Sequence, residues 1–154
     1  MALRITIAAA GRLRAGPEQD LFRTYAGRLS WPLETREISA RPGLDGEALK
    51  AAEAALLSRQ VPAGAVVVVL DERGQQLSSP DFAARLGQFE NAGRRDIAFL
   101  IGGAAGLAGT LREEADLVLS LGPMTWPHLL ARGLLAEQLY RAQQILAGHP
   151  YHKA

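Results

Sequence analysis

The run Ala65-Val66-Val67-Val68-Val69-Leu70 predicts a buried β-strand. Its consecutive β-branched valines favour an extended backbone, and no polar residue interrupts them, so both faces of the strand are apolar. Such a strand is typical of the interior of a parallel sheet, which helices cover on both faces. The run ends at Asp71-Glu72-Arg73-Gly74, which predicts a turn.

Short apolar runs and longer amphipathic segments alternate on both sides of this strand, a pattern typical of strands joined by helices. The other predicted strands are residues 3–10, 33–38, 97–101 and 116–121, and the charged residues in 33–38 favour a position near an edge. The predicted helices are residues 17–29, a segment capped by Asp45 that runs to about Arg59, a segment capped by Ser79 that ends at Gly93, residues 111–115 and residues 128–147. We expect residues 1–154 to form a single α/β domain, a parallel-sheet sandwich.

The composition excludes several kinds of site. The chain has 154 residues, a formal net charge of +1 and no cysteine, so thiolate nucleophiles and cysteine-bound zinc are impossible. Three histidines are too few for a histidine-rich metal cage, and we expect no metal. A basic surface for a nucleic acid must be local, because the whole chain is nearly neutral. The longest apolar run is too short for a membrane span, and the first residues lack the apolar core of a signal peptide. We therefore expect a soluble, cytoplasmic protein without a membrane partner.

Proteins with parallel sheets bind their ligands at the carboxyl ends of the strands, so the candidate ligand-binding loops are those after Leu70, Ile101 and Leu121. The loop Gly102-Gly103-Ala104-Ala105-Gly106 does not have the G-x-G-x-x-G spacing of a dinucleotide-binding turn, and the chain has no Gly-Lys-Ser/Thr phosphate loop. Its glycines either allow a ligand to approach the backbone closely or form a tight turn only. The loop from Leu121 to Pro127 is apolar and contains two prolines. It suits an adenine-sized ligand, although packing into the core or against another subunit explains it equally well.

The last helix is apolar around nearly its full circumference, so we expect one side to meet the sheet and another to meet a second subunit. His128 and Arg132 share one face at its beginning, and Glu137 and Arg141 are spaced for a helical ion pair. The tail after Gly148 contains two histidines, a tyrosine and a lysine. These residue types suit RNA and proton transfer, and a frayed terminus is the alternative.

Several of these segments resemble the RlmH family of SPOUT-class methyltransferases. The most specific are LSLGPMTWPH at residues 119–128, EQLYRA at 137–142 and PYHK at 150–153. Upstream, LDERG at 70–74 with Ser78-Ser79, and the glycine loop after Ile101, fall where that family has similar motifs. The resemblance extends over the whole chain. It departs from the common pattern at Ala104, Ala105 and the pair Gly122-Pro123, so we assign no acidic role to the glycine loop.

The resemblance implies a function and a fold. Members of the family transfer a methyl group from S-adenosylmethionine to N3 of pseudouridine 1915 in helix 69 of 23S rRNA. They act on assembled ribosomes, as homodimers and without a metal, and the C-terminal part of their fold is threaded as a trefoil knot. By position, the cofactor contacts would be Leu70, Gly102, Leu121, Gly122, Pro123, Met124, Thr125 and Trp126.

The chemistry that the resemblance implies requires a general base for the N3 proton. His152 is favoured, because the tail can reach RNA, and His128 is the other candidate. Arg132 and Arg141 would hold phosphate or the uracil oxygens, and Tyr151 would stack on or hydrogen-bond to the base. Two alternatives stay open at this point. One is a non-catalytic ribosome-binding module of the same fold, and the other is an α/β enzyme that binds a different nucleotide.

Overall fold

The computed structural model describes residues 2–153, with side chains for residues 2–151. The strands are β1 (Arg4–Ala10), β2 (Leu33–Ile38), β3 (Val66–Gln76), β4 (Asp96–Ile101) and β5 (Leu117–Ser120). The helices are α1 (Pro17–Ala26), α2 (Gly46–Arg59), α3 (Ser79–Asn91), α4 (Gly109–Glu114) and α5 (His128–Leu146), followed by a 3-10 turn, Pro150–Lys153.

The five strands form one sheet in the order β2-β1-β4-β3-β5, and all four neighbouring pairs are parallel. The α/β parallel-sheet sandwich expected from the sequence is thereby confirmed. The strand with charged residues, β2, lies at an edge as predicted. Because all strands run the same way, their carboxyl ends and the loops that follow them lie at one edge of the sheet.

Helices cover both faces of the sheet, and each face has its own apolar core. Helices α1, α3 and α5 cover the larger core, to which β1 contributes Ile5 and Ile7. Helices α2 and α4 cover the smaller core, to which the same strand contributes Ala8 and Ala10. The side chains of a strand point alternately to the two faces, so an almost continuous apolar sequence is required for a strand between two helical layers.

The third strand is longer than the sequence predicts. Pairing with β5 breaks after Leu70 and resumes at Gln75, and Leu119 pairs with both of these residues. The four residues between them bulge out of the ladder, with the Asp71 carboxylate accepting a hydrogen bond from the amide of Arg73 at 2.8 Å. The prediction that the strand stops at a turn is therefore wrong, since backbone pairing continues beyond the turn-forming residues.

The ends of two helices lie one to three residues from their predicted positions. Ser78, rather than Ser79, caps α3, and its hydroxyl accepts a hydrogen bond from the amide of Asp81 at 3.1 Å. The Ser79 hydroxyl instead donates to Gln138 of α5 at 2.7 Å. Helix α1 ends at Ala26, three residues earlier than predicted, because Gly27 is its C-terminal cap.

Helices α1 and α5 approach each other closely at Gly133. A Cβ atom at this position would lie 2.6 Å from the nearest side-chain carbon of Leu21, closer than such atoms pack. Glycine within a helix costs about 1 kcal/mol relative to alanine, and the absence of a side chain is what allows this contact. Within residues 2–153, no helix is long and apolar enough to cross a membrane. The knotted threading stays a prediction.

Candidate active site

The bulge of β3 and the loops after β4 and β5 meet around a cleft of about 720 Å³ at the carboxyl edge of the sheet. This volume is within the range of small-molecule sites. Of the predicted cofactor contacts, those that line the cleft are Leu70, Gly102, Leu121, Gly122, Met124, Thr125 and Trp126. Pro123 belongs to the same loop and is exposed, but it is not among the lining residues. The structure thus brings together three segments that are far apart in the sequence.

The glycine loop forms one wall of the cleft and is also a tight turn. The amide of Gly106 donates to the carbonyl of Gly103 at 3.0 Å, and the φ angle of Gly106 is +88°. A Cβ atom on Gly102 would lie 2.9 Å from Leu107 and 3.1 Å from the carbonyl oxygen of Gly106. The two interpretations of this loop are therefore compatible: the turn is tight, and its backbone faces the cleft.

The loop after β5 also forms part of the wall of the cleft. The Ser120 hydroxyl accepts from the amide of Gly122 at 3.0 Å, and the Trp126 indole N–H donates to the carbonyl of Leu121 at 3.3 Å. Met124 is 72% exposed and Trp126 is 42% exposed, so their side chains are not packed into the core of this chain. Gly122 has a φ angle of +118°, and a Cβ atom there would meet nothing within 4 Å. Hydrogen bonds therefore fix the conformation of the loop at its start, while the side chains of Met124 and Trp126 are exposed and the space beside Gly122 is unfilled.

The cleft is also lined by charged residues to which the sequence analysis assigned no role. They are Lys50, Asp71, Glu72, Arg73 and Arg112. Arg112 pairs with Asp71 at 3.2 Å and donates to the carbonyl of Leu107 at 3.1 Å. Asp71 and Glu72 directly follow the buried apolar run at the start of β3, which is the signal that could have identified them. Because both residues were assigned to a turn in the sequence analysis, they received no role in the site.

His128 lies on the wall of the cleft, at the first residue of α5. Its Nε2 atom is 3.4 Å from the position that a Cβ atom on Gly11 would occupy. Burial lowers the pKa of His128 below its ordinary value, and the positive charge of Arg132 lowers it further. The imidazole is therefore neutral at neutral pH and has a nitrogen that can accept a proton.

Arg132 does not line the cleft. It is 0% exposed, and its guanidinium donates to Glu37 at 2.5 Å and to the carbonyls of Gly11 and Ala10 at 2.8 and 3.3 Å. Direct contact with an RNA phosphate from this position would require these bonds to break. The sequence placed His128 and Arg132 on one face of a helix but gave no sign of Glu37, which is 95 residues away.

Arg141 of α5 and Tyr151 of the 3-10 turn lie together, and neither lines the cleft. Glu137 holds both of them: Arg141 donates to its two oxygens at 3.2 and 3.0 Å, and the Tyr151 hydroxyl donates at 3.0 Å. The Tyr151 ring packs edge-on against Tyr140 with centroids 4.8 Å apart. Burial and the Glu137 hydrogen bond raise the pKa of Tyr151 to about 12. The tail is anchored to α5 rather than frayed at this residue. The side chain of His152 lies outside the described residues.

A second cavity, of about 550 Å³, lies behind the loop after β5. It shares Leu121, Gly122 and Trp126 with the cleft, and Glu137 and Gln138 of α5 also line it. Glu137 thus connects the Arg141–Tyr151 cluster with a cavity that borders the cleft.

Comparisons with known proteins agree with this architecture. A family model described as "Predicted SPOUT methyltransferase" matches residues 3–152. A protein of Rhodospirillum centenum named "Ribosomal RNA large subunit methyltransferase H" is 60% identical over 152 residues, which are 99% of this chain and 100% of that protein. A protein of the same name from Paramagnetospirillum magneticum is 56% identical over 98% of this chain and 99% of its own length.

Solved structures show the same fold at low sequence identity. A probable methylase family protein from Haemophilus influenzae has a TM-score of 0.59 and 14% identity, covering 98% of this chain and 71% of that chain. The SpoU methyltransferase AviRb from Streptomyces viridochromogenes, solved in complex with AdoMet, has a TM-score of 0.50 and 16% identity, covering 96% of this chain and 60% of that chain. With its family match and its close relatives of nearly equal length, the chain belongs to the SPOUT methyltransferases and, among them, to the RlmH family.

Proposed function

We propose that this protein transfers a methyl group from S-adenosylmethionine to N3 of pseudouridine 1915 in helix 69 of 23S rRNA, on assembled ribosomes and as a homodimer in the cytoplasm. The observation that carries the proposal is the cleft at the carboxyl edge of the sheet, found in a chain of the RlmH family. The names of its relatives specify the large ribosomal subunit, and residues 1–154 would act as one domain.

The cleft has features that fit the cofactor. Its volume of about 720 Å³ suits a ligand of nucleoside size, and Leu70, Leu119 and Leu121 supply apolar wall for a purine ring. Gly122 leaves open space at the cleft, since a Cβ atom there would meet nothing within 4 Å. Residues 121–126 would enclose the nucleoside, and Thr125 and Trp126 hold that loop in place through their hydrogen bonds.

S-adenosylmethionine, when bound, supplies an electrophilic methyl group on a cationic sulfur. The chain must then orient the uracil ring and remove the N3 proton as the nitrogen attacks. His128 is the candidate base on the cleft wall, and its lowered pKa keeps it ready to accept a proton. His152 in the tail is the other candidate. In a homodimer, the tail of one subunit would complete the site of its partner.

A charged rim supports RNA as the substrate. Arg12, Arg14 and Arg73 are exposed; Arg12 and Arg14 lie in the loop after β1, and Arg73 lies in the bulge of β3 that lines the cleft. Phosphate contacts from such residues position RNA without reading its sequence. Because the net charge is only +1, we expect recognition to depend on the shape of the assembled ribosomal site.

The test is methyl transfer from labelled S-adenosylmethionine to ribosomes that lack the modification. Three substrates are compared: 70S particles, free 50S subunits and naked 23S rRNA. Strong labelling of 70S particles with little labelling of naked RNA is expected. Cofactor binding without labelling of any substrate would mean a methyltransferase with a different target. Neither binding nor labelling would favour the non-catalytic ribosome-binding module.

A further inference from the structure

The guanidinium of Arg132 connects three elements at the edge of the sheet. Arg132 belongs to α5. Its guanidinium donates to the carbonyl of Ala10, the last residue of β1, and to that of Gly11, and it pairs with Glu37 of β2. The arginine side chain is 1% exposed and that of Glu37 is 35% exposed. One end of this ion pair is therefore fully enclosed, and the other end can be reached by solvent.

Glu37 holds a further segment. The same carboxylate oxygen that pairs with Arg132 accepts a hydrogen bond from the amide of Leu13 at 2.7 Å. Burial would raise the pKa of Glu37, but the hydrogen bonds from Arg132 and Leu13, and the charges of Arg132 and Arg12, lower it on balance. Glu37 is therefore ionised at neutral pH and ties the loop after β1 to α5.

His128 lies one helical turn before Arg132, so the two side chains share a face of α5. The imidazole also lies beside the loop that Arg132 and Glu37 hold, since a Cβ atom added to Gly11 would be 3.4 Å from its Nε2 atom. Movement of Arg132 would therefore release both supports of His128: the first turn of the helix and the loop after β1.

A contribution to stability does not explain the ion pair between Arg132 and Glu37. The Nε atom of Arg132 is buried and has no hydrogen-bond partner among the described residues. A buried charge that is incompletely paired costs free energy, and well-packed apolar residues commonly replace such pairs without loss of stability. The arrangement is better explained by the geometry that it imposes.

We propose that Arg132 and Glu37 are positioning residues, whose ion pair fixes His128 on the wall of the cleft. The guanidinium acts through the helix and the loop after β1, not by touching RNA. The inference rests on the proposed function, because it gives His128 a purpose in methyl transfer. It replaces the expectation that Arg132 holds phosphate.

The electrostatic surroundings of His128 make the proposal testable. Arg132 on its own helix acts on His128 directly, and Glu37 and Arg12, on the elements packed beside that helix, belong to the same group of interacting charges. The other charged groups that face the same cleft are Lys50, Asp71, Glu72, Arg73 and Arg112. Changing Glu37 removes a negative charge from the first group, and changing Arg132 removes a positive charge from it. Neither substitution changes the charged residues that line the cleft.

Two variants of the full chain, Glu37→Gln and Arg132→Met, test the inference. NMR titration of the His128 imidazole, assigned with His128→Gln, is the first readout. Glu37→Gln removes a negative charge and should lower the His128 pKa further, because Arg132 is then uncompensated. Arg132→Met removes the positive charge beside His128 and should raise that pKa.

Methyl transfer as a function of pH is the second readout. Glu37→Gln, whose amide oxygen can still accept from Arg132, should shift the acid limb of kcat to lower pH with little change of the plateau. Arg132→Met should shift the limb to higher pH and lower the plateau by roughly 10- to 100-fold, because the base is misplaced. Glu34→Gln, which weakens an ion pair with Arg36 on the same strand, is the matched control and should change neither readout.

The outcomes separate this inference from the proposed function. If Glu37→Gln leaves the His128 pKa unchanged or raises it, the inference is overturned, even if Arg132→Met does not fold. An Arg132→Met protein that folds and keeps the wild-type plateau would also overturn it, as would a His128→Gln protein with full activity. If wild-type protein labels no ribosome while both titrations move as expected, the proposed function is wrong and the positioning of His128 stands.

Discussion

The hydroxyl of Thr125 donates a hydrogen bond to the carboxylate of Glu72 at 2.8 Å and joins two loops of the cleft. Thr125 belongs to the loop after β5, and Glu72 belongs to the bulge of β3. The two residues are 53 positions apart in the sequence. This bond links the bulge to the apolar loop that would enclose the adenosyl group, so the bulge serves the geometry of the cleft.

Thr125→Val should weaken S-adenosylmethionine binding without unfolding the protein. Loss of one hydrogen bond, here at an exposed site, is worth about 0.5–1.5 kcal/mol, so we expect a roughly two- to tenfold increase in Kd. Isothermal titration calorimetry measures it. Thr24→Val removes a similar bond, to the carbonyl of Asp20 in α1, and should leave Kd unchanged. Equal Kd values for all three proteins would show that the bond does not shape the site.

Gly102→Ala should disrupt the cleft while the sheet stays intact. The added Cβ atom would be 2.9 Å from Leu107 and 3.1 Å from the carbonyl oxygen of Gly106, so the glycine loop must move. Overpacking of this kind costs about 1–3 kcal/mol, and we expect cofactor affinity to fall by about tenfold or more. Gly87→Ala in α3 is the control, because its nearest neighbour is the partly exposed side chain of Leu146. Unchanged affinity of Gly102→Ala would exclude this loop from the binding site.

Gly133→Ala should lower the free energy of unfolding although alanine is the better helix former. The clash with Leu21 costs about 1–3 kcal/mol, against a gain of about 1 kcal/mol in helix propensity. Urea denaturation measures the difference. The double variant Leu21→Ala with Gly133→Ala should show less than the sum of the two single losses, because the shortened side chain makes room. Strictly additive losses would contradict the proposed contact between α1 and α5.

Tyr151 should ionise later than an ordinary tyrosine. Its pKa is raised to about 12, by burial first and then by the Glu137 hydrogen bond. The bond therefore stabilises the fold fully below pH 10, and this contribution is lost as the pH rises toward 12. The absorbance of tyrosinate should show one transition near pH 12 that Tyr151→Phe abolishes. If all tyrosines titrate near pH 10 in the wild-type protein, the tail is not held by Glu137.

Hydrophobic patterning predicted most of the fold. Every strand expected from the sequence exists, and β2 lies at an edge because its charged residues alternate with apolar ones. The end of β3 was mispredicted, because turn-forming residues can bulge from a strand that continues. Local sequence carries no information about which distant strand will resume the pairing.

The candidate site was predictable where it depends on strand ends and not where it depends on distant pairs. Parallel strands place the loops after Leu70, Ile101 and Leu121 at one edge, and these loops form the cleft. The complete burial of Arg132 depends on Glu37, a charged residue of an edge strand that gives no local signal. Likewise, Glu137 looked like half of a helical ion pair, whereas it also binds the hydroxyl of Tyr151.

The measurement that tests the account most directly is the identity of the methylated nucleotide. Ribosomes that lack the modification are incubated with the protein and S-adenosylmethionine, and their 23S rRNA is digested and analysed by mass spectrometry. We predict one added methyl group, at N3 of pseudouridine 1915, on 70S particles. A methyl group at another nucleotide or another atom, or none on any particle, would contradict the account.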